Sequence, residues 1–232
     1  MGKGELKVFI MKLAPQPQEL LSGNSPADYF SSYQTALSAA LAHCPPNKID
    51  AICGRLLEMI DAGRTLYVAG NGGSASIAEH LTCDWMKGTS CPGIAPLKVV
   101  SLVSNMALLT ALANDCGYEY CFSAQIEALA VKGDVVFLVS SSGNSRNILE
   151  AAMAARAAGI FVIGLAGFGG GALCELADIA IHIPVKNYGL VEDAHQAIMH
   201  AVAQYLYSVR SVESRDLASL RAPLQPSSDS TN

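Results

Sequence analysis

The chain has 232 residues, of which 51% are hydrophobic and 15% are charged, and its formal net charge is −5. This composition suits one compact domain with a large core, and the low charge density favours a subunit that associates with copies of itself. The acidic balance argues against nucleic-acid binding, and the apolar segments are too short to span a membrane, so we expect a cytoplasmic protein. The seven cysteines form no C-x-x-C pair, which indicates neither a disulfide framework nor a zinc ribbon.

The two ends of the chain are predicted to lie outside the folded domain. Residues 1–25 have the composition of a flexible lead-in, and residues 215–232 that of a disordered tail. A single domain is predicted between them, over residues 26–214. It is expected to open with two helices, over residues 27–43 and 48–62.

Five short β-branched segments follow and alternate with helical patterns. They are apolar at successive positions, as expected of strands that are covered on both faces. Alternating strands and helices indicate an α/β fold with a parallel sheet, in which ligands lie beyond the carboxyl ends of the strands. The predicted strands are residues 65–69, 98–102, 135–140, 161–166 and 179–183.

A run of hydroxyl side chains follows the third predicted strand. Ser140, Ser141, Ser142 and Ser145 surround Gly143 where the chain turns into a helix. The unpaired N–H groups and the dipole at a helix start attract anions, and serine hydroxyls add donors without bulk. This turn therefore predicts a site for a phosphate monoester, although serines that simply cap a helix would give the same pattern.

A second turn rich in glycine follows the first predicted strand. It consists of Gly70-Asn71-Gly72-Gly73-Ser74 and precedes a helix that is predicted to end near Trp85. Neither turn has the G-x-G-x-x-G spacing of a dinucleotide site or the lysine of a P-loop, so nucleotide hydrolysis is not indicated. Two such turns in one small domain point to a shared ligand.

Two helices carry polar pairs that suit a metal ion. His80 and Asp84 are four residues apart in the helix after the glycine turn, and Glu192 and His200 are eight residues apart in a last helix predicted over residues 190–211. Residues at these spacings share a helix face, as the ligands of one metal ion often do. Taken alone, a histidine and an aspartate four residues apart are more typical of a solvated helix face, and a histidine among apolar neighbours is more typical of a hydrogen-bonded core residue.

These motifs, in this order and at this spacing, resemble the sugar isomerase (SIS) domain family, and among its members the phosphoheptose isomerases. The resemblance extends from about Pro26 to Arg210 and includes Asn114-Asp115 and the segment Gly167-Phe168-Gly169-Gly170. It implies a flavodoxin-like three-layer sandwich around a five-stranded parallel sheet. It also implies a homotetramer with active sites at subunit interfaces, often with zinc, that interconverts sedoheptulose 7-phosphate and D-glycero-D-manno-heptose 7-phosphate.

The resemblance also implies roles for individual residues. His80 and His200 match two metal-binding histidines, while Asp84 stands where a glutamate is usual and Glu192 where a glutamine is usual. Two imidazoles and two carboxylates suit zinc, and the carboxylates would also admit manganese or iron. Contacts with the sugar phosphate are implied for Asn71, Gly72, Gly73, Ser74, Asn114, Asp115, Ser140, Ser141, Ser142, Ser145 and Glu192.

Isomerisation through an enediol needs a base, an acid and stabilisation of the enediolate. Asp84 occupies the position of the proton-abstracting glutamate of these isomerases, with a shorter side chain, and Glu192 is the alternative base. His200 is the expected acid, and a metal at His80 would stabilise the enediolate. Two other functions stay open: a catalytically silent SIS module that binds a sugar phosphate or a protein partner, as the replication-initiator-binding proteins do, and an isomerase of a different sugar phosphate.

Overall fold

The computed structural model describes residues 19–221, so the predictions for residues 1–18 and 222–232 lie outside the described part. Each strand falls within one residue of its predicted bounds. The strands are β1 (Thr65–Gly70), β2 (Lys98–Ser101), β3 (Val135–Ser140), β4 (Phe161–Ala166) and β5 (Ile179–His182). The helices are α1 (Pro26–Leu41), α2 (Pro46–Asp61), α3 (Gly73–Cys83), α4 (Met106–Asp115), α5 (Ser123–Leu129), α6 (Arg146–Ala157), α7 (Leu173–Leu176) and α8 (Tyr188–Arg221).

The five strands form one parallel sheet in the order β2-β1-β3-β4-β5. Every residue of the central strand β3 is buried, which explains why its sequence is continuously apolar up to Ser140. Gly70 at the end of β1 pairs with Val139 near the end of β3. The two turns that were predicted to share a ligand are therefore neighbours at one edge of the sheet.

Helices cover both faces of the sheet. Leu66 and Val68 of β1 belong to a core shared with α2, α3 and α8, while Tyr67 and Ala69 face a second core formed with α5 and α6. Because successive side chains of a strand point to opposite faces, one strand supplies both cores. The predicted three-layer α/β sandwich is confirmed.

Helix α8 is longer than predicted. It continues ten residues beyond Ser211 to Arg221, so residues 215–221, which the sequence assigned to the tail, extend the helix. The segment 212–221 contains no glycine or proline that would end a helix. Ser214 is buried in this extension, and its hydroxyl donates a hydrogen bond of 2.5 Å to the carbonyl of Pro92.

Two further properties concern the chain as a whole. Within residues 19–221, no helix is both long enough and apolar enough to cross a bilayer. All seven cysteines lie in this range as free thiols.

Candidate active site

A cavity of about 360 Å³ lies at the carboxyl ends of β1 and β3. Both predicted turns border it, and the first turns of α8 form a third side. This is the edge at which parallel sheets commonly bind ligands. The lining residues are Asn71, Gly72, Gly73, Ser74, Ser140, Ser141, Ser142, Ser145, Tyr188 and Glu192.

The serine turn offers hydrogen-bond donors that the protein leaves free. Ser141 Oγ is buried and has no hydrogen-bond partner among the residues that the structure describes, which ordinarily costs about 1–3 kcal/mol. Ser145 precedes α6 without capping it, so N–H groups of the first helical turn receive no side-chain acceptor. No lysine or arginine of residues 19–221 lines the cavity. An anion bound here would be stabilised by hydroxyls, backbone N–H groups and the helix dipole.

The glycine-rich loop of residues 167–170 packs against the serine turn. Gly143 has a φ of +65°, and a Cβ atom at this position would collide with the carbonyl of Gly170. The turn is held by hydrogen bonds from Gly167 N–H to Ser141 O (3.1 Å) and from Leu173 N–H to Gly143 O (3.0 Å). The loop that contributed to the family resemblance thus fixes the position of the serines, and it does not line the cavity itself.

Asn71 connects the two turns through its side-chain amide. Its Oδ1 accepts hydrogen bonds from Tyr118 OH (2.8 Å) and from Asn147 Nδ2 (2.9 Å), and its Nδ2 donates to Asn147 Oδ1 (2.8 Å). Asn147 belongs to the first turn of α6, so this amide pair joins the start of α6 to the end of β1. Neither Asn147 nor Tyr118 was among the predicted site residues. For Asn147 the local signal was an amide two residues after Ser145, and Tyr118 had no local signal.

Two predicted sugar contacts lie elsewhere. Asn114 and Asp115 end α4 as exposed residues that do not line the cavity, and Asn114 Nδ2 donates a hydrogen bond to Asp115 Oδ1 (2.8 Å). Within the described part of one chain, the structure does not bring them to the serine and glycine turns.

Among the described residues, Glu192 is the one acidic residue that lines the cavity. Its carboxylate lies against Gly73, where any Cβ atom would displace it, so the glycine makes room for the acid. Burial, and to a lesser degree the negative charge of Asp193, raise the pKa of Glu192. Asp193 in turn accepts a hydrogen bond of 2.6 Å from Tyr33 OH, which ties α1 to α8 beside the site. A half-buried carboxylate of this kind is suited to take up a proton.

Three of the four predicted metal ligands meet in one group, formed by His80, Asp84 and His200. Asp84 Oδ2 lies 3.4 Å from His80 Nε2 and 3.3 Å from His200 Nε2, and the two Nε2 atoms are 3.5 Å apart. Tetrahedral zinc with bonds of about 2.0–2.1 Å separates neighbouring ligand atoms by roughly 3.3 Å. The triangle of donors therefore fits such an ion, with a fourth position left for another ligand.

Glu192 does not join this group, although the sequence placed it on the same helix face as His200. Its side chain points toward Gly73, so the carboxylate of Glu192 lies apart from the carboxylate of Asp84 in the metal group. Gln196, which was not among the predicted site residues, lies between Glu192 and His200 on α8. Its Nε2 is 2.9 Å from His80 Nδ1 and 3.1 Å from His200 Nε2. Its position four residues before His200 was the available signal.

Comparisons with known proteins identify relatives of this sequence and fold. The family model described as SIS domain matches residues 28–167. The phosphoheptose isomerase of Rhodospirillum rubrum is 39% identical over 160 residues, which cover 69% of this chain and 84% of that protein. That of Campylobacter concisus is 35% identical over 156 residues, covering 67% and 82%. The structure of the phosphoheptose isomerase GmhA from Neisseria gonorrhoeae matches with a TM-score of 0.72 at 28% identity, over 78% of this chain and 96% of that one.

Proposed function

The chain belongs to the SIS domain family, and we propose that it interconverts sedoheptulose 7-phosphate and D-glycero-D-manno-heptose 7-phosphate through an enediol. The similarity to phosphoheptose isomerases supports the substrate. The observation that carries the chemistry is that a half-buried carboxylate, Glu192, shares one cavity with free donors of the serine turn.

The serine turn binds the phosphate, and Glu192 performs the proton transfers. Binding the phosphate at Ser140–Ser145 fixes the distant reacting carbons in the cavity, which lowers the entropic cost of the transition state. Glu192 removes the proton from the carbon beside the carbonyl, exchanges it with solvent and delivers a proton to the former carbonyl carbon, while the hydroxyl proton of the first carbon passes to the carbonyl oxygen. Its raised pKa supports this role, because a base with a pKa nearer to neutrality binds the transferred proton more readily.

Asp84 is assigned to the metal group and not to the base. Its Oδ2 lies within 3.4 Å of an imidazole nitrogen on each side, so it is already engaged by His80 and His200. The same reasoning changes the expected role of His200, because one Nε2 lone pair cannot both hold a metal and carry a transferable proton. The two carboxylates thus have separate tasks.

We propose zinc as the ion that His80, Asp84 and His200 hold. Two imidazoles and one carboxylate with an open fourth position are typical of catalytic zinc, while the carboxylate would also accept manganese. When bound there, a divalent ion supplies Lewis acidity that polarises a carbonyl oxygen and stabilises an enediolate.

A cytoplasmic homotetramer is the proposed form of the enzyme. Large apolar side chains are exposed on the single chain, as expected of surfaces that pack against other copies. They include Leu20, Phe30, Met106, Tyr205 and Val212. We propose that Asn114 and Asp115 reach the cavity of a neighbouring copy, since they do not reach their own. Light scattering on the purified protein measures the assembly, and a monomer would contradict this arrangement.

An isomerase assay tests the function. The purified full chain is given sedoheptulose 7-phosphate as prepared, after chelation, and after addition of zinc or manganese, with a pentose and a hexose phosphate alongside. Turnover that chelation abolishes and metal restores supports both the activity and the metal group. Turnover that chelation leaves unchanged supports the activity but not the metal group. Thermal stabilisation by the sugar phosphate without any turnover would favour a silent binding module.

A further inference from the structure

The histidines of the metal group share a partner that no other part of the proposed chemistry uses. The side-chain amide of Gln196 lies 2.9 Å from His80 Nδ1 and 3.1 Å from His200 Nε2. It connects α3 to α8 at the level of the donor triangle. Among the described residues, Gln196 is the one hydrogen-bond partner of His80 Nδ1.

The position of His80 restricts its useful tautomer. Its Nε2 faces Asp84 and His200 at 3.4 and 3.5 Å, so Nε2 is the nitrogen that must offer a lone pair to a metal ion. In a neutral imidazole the proton then resides on Nδ1, which becomes a donor and needs an acceptor. The atom opposite Nδ1 is the amide nitrogen Nε2 of Gln196. A half turn of the amide group places its oxygen Oε1 there instead.

We propose that Gln196 is a positioning residue for the metal site. Its amide oxygen accepts the Nδ1 proton of His80, which fixes the tautomer and the ring orientation that direct Nε2 toward Asp84 and His200. The inference rests on the metal site within the proposed function. Partners of this kind commonly contribute about 10–100-fold to metal affinity, because they orient the ligand and make it more basic.

Zinc affinity of the intact chain tests this assignment, measured by competition with a chromophoric chelator. Gln196→Met keeps the side-chain length but removes the acceptor, and it is expected to weaken zinc binding by about 10–100-fold. Gln196→Glu keeps an oxygen acceptor and is expected to bind zinc at least as tightly as the unaltered protein. Gln204→Met is the matched control, because Gln204 borders the same pocket as Asp84 and His200 but, within residues 19–221, makes no hydrogen bond to His80 or His200. It should leave the affinity unchanged.

Thermal unfolding in excess chelator shows whether each variant folds. If Gln196→Met does not fold, Gln196→Ala replaces it, with the same expected loss of zinc affinity. Unchanged zinc affinity in Gln196→Met, or an equal loss in Gln204→Met, would overturn the proposal. So would a loss in Gln196→Glu as large as that in Gln196→Met. If the unaltered protein binds no zinc, the proposal falls together with the metal site, and turnover of sedoheptulose 7-phosphate decides the isomerase separately.

Discussion

Mild acid should destabilise the fold through one buried histidine on α8. His195 is 0% exposed, and neither ring nitrogen has a hydrogen-bond partner within bonding geometry in the part of the chain that the structure describes. Burial lowers its pKa from the ordinary 6.5 to about 4, and the nearby Ala166 backbone opposes this only in part. The folded protein therefore keeps the ring neutral at a pH where the unfolded chain takes up a proton. The stability that depends on the neutral ring is complete above pH 6.5 and declines as the pH falls toward 4.

The size of the effect follows from the difference between the two pKa values. A shift from 6.5 to about 4 corresponds to roughly 3 kcal/mol of unfolding free energy once the pH is below both values. By pH 5 the loss is about 2 kcal/mol, and most carboxylates are still ionised there. His195→Leu removes the titrating group and keeps the site apolar. When the pH is lowered from 7.5 to 5, the free energy of unfolding should fall by about 2 kcal/mol more in the unaltered protein than in this variant.

Urea unfolding at the two pH values, at one protein concentration and with chelator present, measures this difference. His43→Leu is the matched control, because His43 is exposed at the end of α1, and it should keep the pH dependence of the unaltered protein. An equal loss of stability in the unaltered protein and in His195→Leu would refute the neutral, buried state of His195.

Three further predictions test the site and its support. Ser141→Ala removes a free buried hydroxyl and should raise KM for the sugar phosphate about tenfold with kcat nearly unchanged in steady-state assays; a fall in kcat alone would contradict its binding role. Gly143→Ala should lower the free energy of unfolding in urea by about 1–3 kcal/mol, because its φ is +65°. Gly169→Ala, where an added Cβ atom would meet open space, should be near neutral. An equal loss of unfolding free energy in Gly169→Ala and Gly143→Ala would refute the role assigned to Gly143. Asp84→Ala should weaken zinc binding at least tenfold by calorimetry while leaving phosphate binding intact, and unchanged zinc affinity would exclude Asp84 as a ligand.

The sheet could be predicted from the sequence because its signals are local. A strand such as β3 is covered on both faces, so its residues are apolar without interruption and its bounds are visible. The serine and glycine turns were equally visible, since their residue types report backbone conformation and hydrogen-bonding capacity at the same positions. The end of α8 was missed because residues 212–221 include no glycine or proline that would mark a boundary near Ser211, and the buried contact of Ser214 shows that this extension packs on the protein.

The contents of the site were only partly predictable, because they depend on contacts between distant elements. Helical periodicity put Glu192, Gln196 and His200 on one face of α8, but it could not show that Glu192 faces the cavity while Gln196 and His200 face His80. The role of Asn147 likewise depends on its pairing with a residue 76 positions earlier. Such pairings arise from the packing of α3, α6 and α8 around one sheet edge.

Isomerisation in deuterium oxide tests the central claim most directly. If Glu192 transfers the proton through an enediol, the heptose phosphate formed from sedoheptulose 7-phosphate should carry solvent deuterium at carbon 2, visible by mass spectrometry and NMR. Glu192→Gln should lower the rate by about 10²–10⁴-fold, while the sugar phosphate still raises the thermal midpoint of the variant. Product without deuterium, or a Glu192→Gln enzyme with the full rate, would contradict the account.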